Sequence, residues 1–301
     1  MKLFLKTYAF AIGLLICLAL GLACSLSVHP LDYYGIKSGQ EVVILLLVGL
    51  LAGFLGGLLG LGGGAIMLPA LDFWLGFSSP SAIGTTLFAV IFTVLSGAQG
   101  HFIRKNTRNE VSRDISFGGV IGILVGSVIF TLLLKEIRVL NLCMGLFFLL
   151  PAYMMTRDGI KKQNESHLGG DNETLVTRLG IPQRSWLWGL GFVVGLITGT
   201  LGLGGGFLLV PGLTYGIGLT IHLAVGSSML AVVPITIVGS LVKLFQGLVL
   251  LPAALCLAFG SVTGAQLGAA LIKYFQAWTL KLIFGVYFFY VAVKYIAAFF
   301  G

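Results

Sequence analysis

The residues of this chain best suited to chemistry are two hydroxyl pairs and two glycine clusters. Thr85 and Thr86 directly follow Gly84, and Ser227 and Ser228 directly follow Gly226. Such hydroxyls can donate hydrogen bonds to an oxyanion without bringing charge into an apolar setting. They can equally bond to their own helix backbone. The clusters are Gly60-Leu61-Gly62-Gly63-Gly64, closed by Pro69, and Gly202-Leu203-Gly204-Gly205-Gly206, closed by Pro211. Each removes nearly every side chain over one turn. Amide N–H groups exposed there, with a short helix starting behind them, would form a local positive site for an anion. A purely structural bend is the other reading.

Titratable candidates are few. His101 and Lys243 stand at equivalent positions near the ends of two apolar stretches, and His222 lies four residues before Gly226. Equivalent placement suggests opposite mouths of one path, although interface snorkelling accounts for Lys243 equally well and a capping or loop role for the histidines. Asp72 is the one carboxylate within an apolar run. Proton-driven carriers commonly use a buried acid, so a proton relay would have to rest on Asp72 or on a histidine.

Other chemistries are excluded by their missing parts. Gly60-x-Gly62-x-x-Ala65 fits a dinucleotide fingerprint in letters only, with no soluble strand–helix setting and no acidic residue at the required distance. Neither glycine triplet is followed by the Lys-Ser/Thr of a phosphate loop, and the His-Glu-x-x-His zinc pattern is absent. Cys17, Cys24, Cys143 and Cys256 lie scattered without metal-ligand spacing, as small packing residues do. Neither an enzyme nor a cofactor or metal site is expected. The net charge of +8 comes without a basic cluster interleaved with aromatics, which argues against nucleic acid.

The elements that must position these residues are membrane helices. Of 301 residues, 57% are apolar and 9% charged, against about 25% charge in a soluble domain. Most charges fall between the apolar runs, as lipid demands. Residues 1–26 read as a retained N-terminal transmembrane helix behind Lys2 and Lys6, rather than a cleaved signal, because the apolar stretch outlasts a signal core.

Residues 42–156 and 185–301 are two copies of one unit. At an offset of 142 residues Gly53 falls on Gly195, Gly60 on Gly202, Gly62, Gly63 and Gly64 on Gly204, Gly205 and Gly206, and Pro69 on Pro211. The series continues with Gly84-Thr85-Thr86 over Gly226-Ser227-Ser228, and Gly118, Gly122 and Gly126 over Gly260, Gly264 and Gly268. An ordered series of this kind marks a duplication. Pairs such as Gly53 with Gly57 and Gly122 with Gly126 have the small-xxx-small spacing of close helix packing.

Three stretches of each copy suit single spans of roughly 20 residues. The first stretch of each copy is longer and is interrupted by its glycine cluster. A single crossing by that stretch would put Arg104, Lys105, Arg108 and Arg113 on the outer face, against the positive-inside rule. If it enters and returns instead, those residues and the polar linker 157–184 both lie in the cytoplasm, and the second copy starts on the opposite face from the first. The expected fold is therefore an all-α polytopic membrane protein of two inverted repeats with broken or re-entrant glycine-rich helices, a plan shared by many secondary transporters.

The duplicated Gly-x-x-x-Gly-x-x-Gly-x-Gly-Gly-Gly-x-x-x-x-Pro pattern, followed by Gly-Thr-Thr or Gly-Ser-Ser, resembles the sulfite exporter TauE/SafE family of membrane transporters over roughly residues 42–300. The resemblance implies a multi-pass inner-membrane carrier for small sulfur-containing anions such as sulfite, sulfonate, sulfoacetate or thiosulfate. Its signature maps onto Gly60, Gly62, Gly63, Gly64 and Pro69, and onto Gly202, Gly204, Gly205, Gly206 and Pro211. Its expected partners are the anion and the lipid bilayer. Import, export and homo-oligomerisation stay open. A non-transporting scaffold or subunit is the rival, and it would show packed, dry glycine breaks.

Overall fold

The computed structural model describes residues 2–28, 39–165, 181–274 and 277–300. Among these the chain is entirely helical, with eleven α-helices. They are α1 (Lys2–Val28), α2 (Gly39–Leu59), α3 (Gly64–Pro69), α4 (Ser79–Ile103), α5 (Asn109–Leu133), α6 (Ile137–Glu165), α7 (Ile181–Leu201), α8 (Gly206–Ile217), α9 (Ile221–Phe245), α10 (Leu251–Leu271) and α11 (Ala277–Phe300). Seven contain spans long and apolar enough to cross a membrane. Helix starts follow local chemistry: Pro80 and Pro252 occupy the first turns of α4 and α10, where a missing N–H costs nothing.

The surface is inverted relative to a protein in water. Thr85, Thr93, Ser96, Ser227 and Thr236 are fully buried, while Leu51, Val128 and Val286 are 57%, 64% and 67% exposed. Apolar side chains outward and hydroxyls inward are what a hydrocarbon solvent selects.

The chain forms two compact units, residues 1–128 with 175–272 and residues 129–174 with 273–301. The first is built on glycine. Side chains at Gly49, Gly53 and Gly57 of α2 would overlap the backbone of Leu257, Ser261 and Ala265 in α10, and Gly260, Gly264 and Gly268 of α10 face Leu46, Leu50 and Phe54. The α7–α5 contact repeats this at the 142-residue offset. There Gly191, Gly195 and Gly199 meet Ile115, Gly119 and Ile123, and Gly118, Gly122 and Gly126 meet Trp188, Phe192 and Leu196. Each copy thus packs its first long helix against the other copy's third. Backbones come this close because lipid supplies no hydrophobic drive between helices and dense packing must replace it.

Helices α4 and α9 pack together in opposite directions. Gly84, near the start of α4, abuts the Leu248 carbonyl just beyond α9, and Gly226, near the start of α9, abuts the Asn106 carbonyl just beyond α4. In the second unit α6 and α11 also run antiparallel. Gly145 faces Ile296, Gly285 faces Thr156, and Phe148 stacks on Tyr295 at 5.9 Å.

Helix α6 runs on to Glu165, through good helix formers such as Lys161, Lys162 and Gln163, and α7 begins at Ile181. Residues 166–180, the middle of the segment expected as a polar linker, lie outside the described residues. One expectation is revised: Pro69 and Pro211 do not break the chain. Pro69 has helical angles and the helix runs on as a π-turn over Ala70–Trp74, while α8 passes through Pro211 to Ile217. A proline there forfeits one ladder bond; the breaks themselves are made by glycine.

Candidate substrate site

The break between α2 and α3 and the break between α7 and α8 have the same backbone. Gly60, Gly62 and Gly63 adopt φ of 73°, 73° and 79°, and Gly202, Gly204 and Gly205 adopt 70°, 73° and 65°. Left-handed angles at three of four consecutive residues are cheap only for glycine.

These contacts also trace the path of the first copy. Near the end of α2, the carbonyl of Gly57 lies 2.9 Å from His101 at the far end of α4. Past the break, a Cβ on Gly62 or Gly64 would meet Val90 in the middle of α4. Beyond α3, Asp72 accepts from Ser79 at the start of α4, at 3.1 and 3.3 Å. The chain therefore turns back along α4 after the break. The return leg, Gly64–Trp74, reaches only about half of a roughly 30 Å hydrocarbon core.

The two breaks touch. A Cβ on Gly206 would overlap the Gly60 carbonyl oxygen, and one on Gly64 would lie 3.1 Å from the Leu203 carbonyl carbon and oxygen. Val90 sits against both, since Cβ atoms on Gly62 and Gly204 would approach its Cγ1 to 3.3 and 3.2 Å. Gly62, Gly63, Gly64, Gly204, Gly205 and Gly206 are therefore gathered into one buried place. The first N–H groups of α8 have no partners within that helix, which gives the break a partial positive charge.

The hydroxyl pairs divide into two roles. Thr85 Oγ1 accepts from the Leu250 N–H at 3.0 Å, and Ser227 Oγ accepts from the Arg108 N–H at 2.8 Å. These bonds are related by the same 142-residue offset, each tying the start of one copy's helix to the loop of the other. Ser228 Oγ lies 2.8 Å from the Val225 carbonyl and 3.3 Å from that of Gly60. Thr86 Oγ1 is buried with no hydrogen-bond partner. In this structure three of the four hydroxyls hold backbone and one is unspent. Replacing Thr85 with valine leaves the Leu250 N–H without its acceptor. The expected loss is about 1 kcal/mol of stability, read as a lowered melting temperature of the purified protein; an unchanged melt would show that water serves the N–H as well.

His101 is fully buried. A carbonyl can only accept, so His101 donates from Nε2 to Gly57, one of the last four carbonyls of α2 that lack helical donors. Its Nδ1 is buried without a partner. Lys243, its equivalent, is fully buried as well, while His222 is exposed at the start of α9. Asp72 fastens the π-turn to α4. No group of three or more metal-ligating side chains is found among the described residues.

Sequence reasoning missed Val90, the spacer on which both breaks rest, and the loop residues Arg108 and Leu250. The repeat offset pairs these two loops, but nothing in it shows that each reaches across to the other copy.

The family profile described as Sulfite exporter TauE/SafE matches residues 45–295. The chain is similar to the probable membrane transporter protein YunE of Bacillus subtilis, with 30% identity over 257 residues, 81% of this chain and 93% of that protein. It is 25% identical to the probable membrane transporter protein YdhB of the same organism over 228 residues, 76% of this chain and 87% of that one. The probable membrane transporter protein MJ0441 of Methanocaldococcus jannaschii is 26% identical over 248 residues, covering 75% and 84%. No solved structure matches the chain.

Proposed function

Because the chain belongs to the sulfite exporter TauE/SafE family of membrane transporters, we propose that it carries a small sulfur-containing anion, of the sulfite, sulfonate, sulfoacetate or thiosulfate type, across the inner membrane by alternating access of two inverted halves. The observation that carries this reading is the meeting of the two glycine breaks over Val90. Irregular backbone at membrane depth is tolerated only where protein buries it or where it lines a cavity. Two helix starts beside such a place favour an anion over a cation. Packed breaks suit a scaffold as well as a closed carrier, but this family consists of transporters.

In this scheme the anion is held by the N–H groups of Gly62–Gly64 and Gly204–Gly206, with Thr86 and Ser228 beside them. Thr85 and Ser227 act as latches. The Arg108–Ser227 and Leu250–Thr85 bonds lie at opposite ends of the antiparallel α4–α9 pair, so releasing one opens one face only. The antiparallel packing of equivalent helices also supports inversion of the two copies. The loop 104–113 and the segment 157–184 are then both cytoplasmic; cysteine labelling of the two from opposite faces would refute that topology.

The deciding experiment is flux through reconstituted vesicles against sulfite, thiosulfate, sulfoacetate, taurine and sulfate, with and without a pH gradient. Saturable movement of at least one of the first three is expected. Failure of every anion would end the sulfur-anion assignment.

A further inference from the structure

We propose that His101 is a proton-binding site coupled to the anion, so that the carrier moves one proton with each anion. The inference rests on the transport reading and adds its coupling ion. The Nε2–H of His101 is committed to the Gly57 carbonyl at 2.9 Å, so the neutral ring carries its lone pair on Nδ1. That nitrogen is buried and unpartnered, in a residue with no exposed surface. One proton-binding position therefore stands empty inside a membrane-spanning helix, and a buried polar atom of this kind calls for a functional explanation.

The position links the ring to the break. Gly57 is three residues before Gly60, the first left-handed glycine, so the histidine holds the last turn of α2 at the place where the chain leaves the helix. A Cβ on Gly226, next to Ser227, would lie 3.0 Å from His101 Cβ, so the base of the histidine side chain packs against the start of α9. Arg104, just past the end of α4, and His222 on α9 lie within electrostatic reach of the ring. From the other packed elements, α2 presents the neutral Gly57 carbonyl and α10 the neutral Gln266, which bonds to Ser96 and Gln99 in the same last turns of α4.

The chemistry is a simple protonation. Nδ1 takes a proton from hydronium in the open entrance, an O–H bond breaks to leave water as the new N–H bond forms, and the resulting imidazolium offsets the negative charge of the entering anion. Each ligand then strengthens the binding of the other by the same factor, as linkage requires. On the far side the anion leaves, and the proton follows. The second copy has Lys243 in place of histidine, so the two ends are chemically unlike even though their backbones match.

The test uses the full chain in vesicles with ethanesulfonate, whose charge does not change around neutral pH, so substrate protonation cannot mimic coupling. An inward proton gradient is expected to raise wild-type accumulation on the order of tenfold, and His101→Gln, which keeps a donor for Gly57, is expected to lose that dependence. Gradient-driven accumulation equal to wild type in His101→Gln would overturn the proposal, as would a wild-type flux indifferent to the gradient. A second readout needs no transport: deuterium exchange at the histidine C2 position, followed by mass spectrometry on the solubilised protein. His101 exchange is expected to trace a titration curve that ethanesulfonate moves to higher pH. Exchange that is flat with pH, or blind to the anion, would overturn the coupling. Movement of no panel anion, with the titration intact, would instead count against the transport reading.

Discussion

Alanine at Gly206 is expected to cost the folded protein about 3 kcal/mol, the upper part of the range for overpacking a rigid site. The added Cβ would overlap the Gly60 carbonyl oxygen and lie 2.8 Å from Leu61 Cα and 2.9 Å from the Gly60 carbonyl carbon. All three are backbone atoms of the opposing break, so no side chain can rotate away. Gly206 has no left-handed angle to lose, which makes the substitution a test of packing between the breaks alone. The comparison is Gly189→Ala in α7, where a Cβ meets nothing within 4 Å and removal of a helical glycine is neutral or mildly stabilising. Thermal unfolding of both variants in detergent, with the yield of folded protein from membranes, reads the difference. Equal melting of the two variants would show that the breaks do not touch.

Valine at Thr86 separates fold from function in the opposite sense. The hydroxyl of Thr86 is buried without a partner, and valine has nearly the same shape. Removing an unsatisfied buried hydroxyl leaves stability unchanged or raises it by about 1 kcal/mol. If that hydroxyl bonds the anion, the loss of one charge-assisted bond lowers transport by roughly tenfold to a hundredfold. Ser228→Ala behaves differently, because Ser228 already serves Val225 and Gly60; both its stability and its transport are expected to fall. A stable Thr86→Val protein that transports at the wild-type rate would remove Thr86 from the site.

These two expectations draw on different levels of the molecule. Membrane helices, the duplication and the broken first stretch were legible in the residues, because lipid imposes a harsh rule on composition and a 142-residue repeat of glycines is difficult to obtain otherwise. The matching left-handed angles of Gly60, Gly62 and Gly63 and of Gly202, Gly204 and Gly205 are permitted by residue type, although Gly64 and Gly206 in the same clusters do not adopt them. The small-xxx-small packing of Gly53 and Gly57 follows from residue type, although its partner helix does not. The return of the chain after its break was expected from charge, and the contacts of Gly57, Gly62 and Asp72 along α4 agree with it.

Other features depend on where chain segments meet in space. Thr85 and Thr86 are adjacent and alike in sequence, yet one accepts a bond from Leu250 and the other is left without a partner, because helical neighbours point about 100° apart. Pro69 and Pro211 look like terminators, yet the helix runs through both once neighbouring packing outweighs one lost hydrogen bond. The sequence alone determined that this is a duplicated, glycine-broken membrane protein, since those properties reside in residue type and spacing. Only the tertiary structure decided that the two breaks lie against each other over Val90, and that each copy's first hydroxyl is held by the other copy's loop. Such pairings are chosen by shape complementarity between distant segments, which no local pattern encodes.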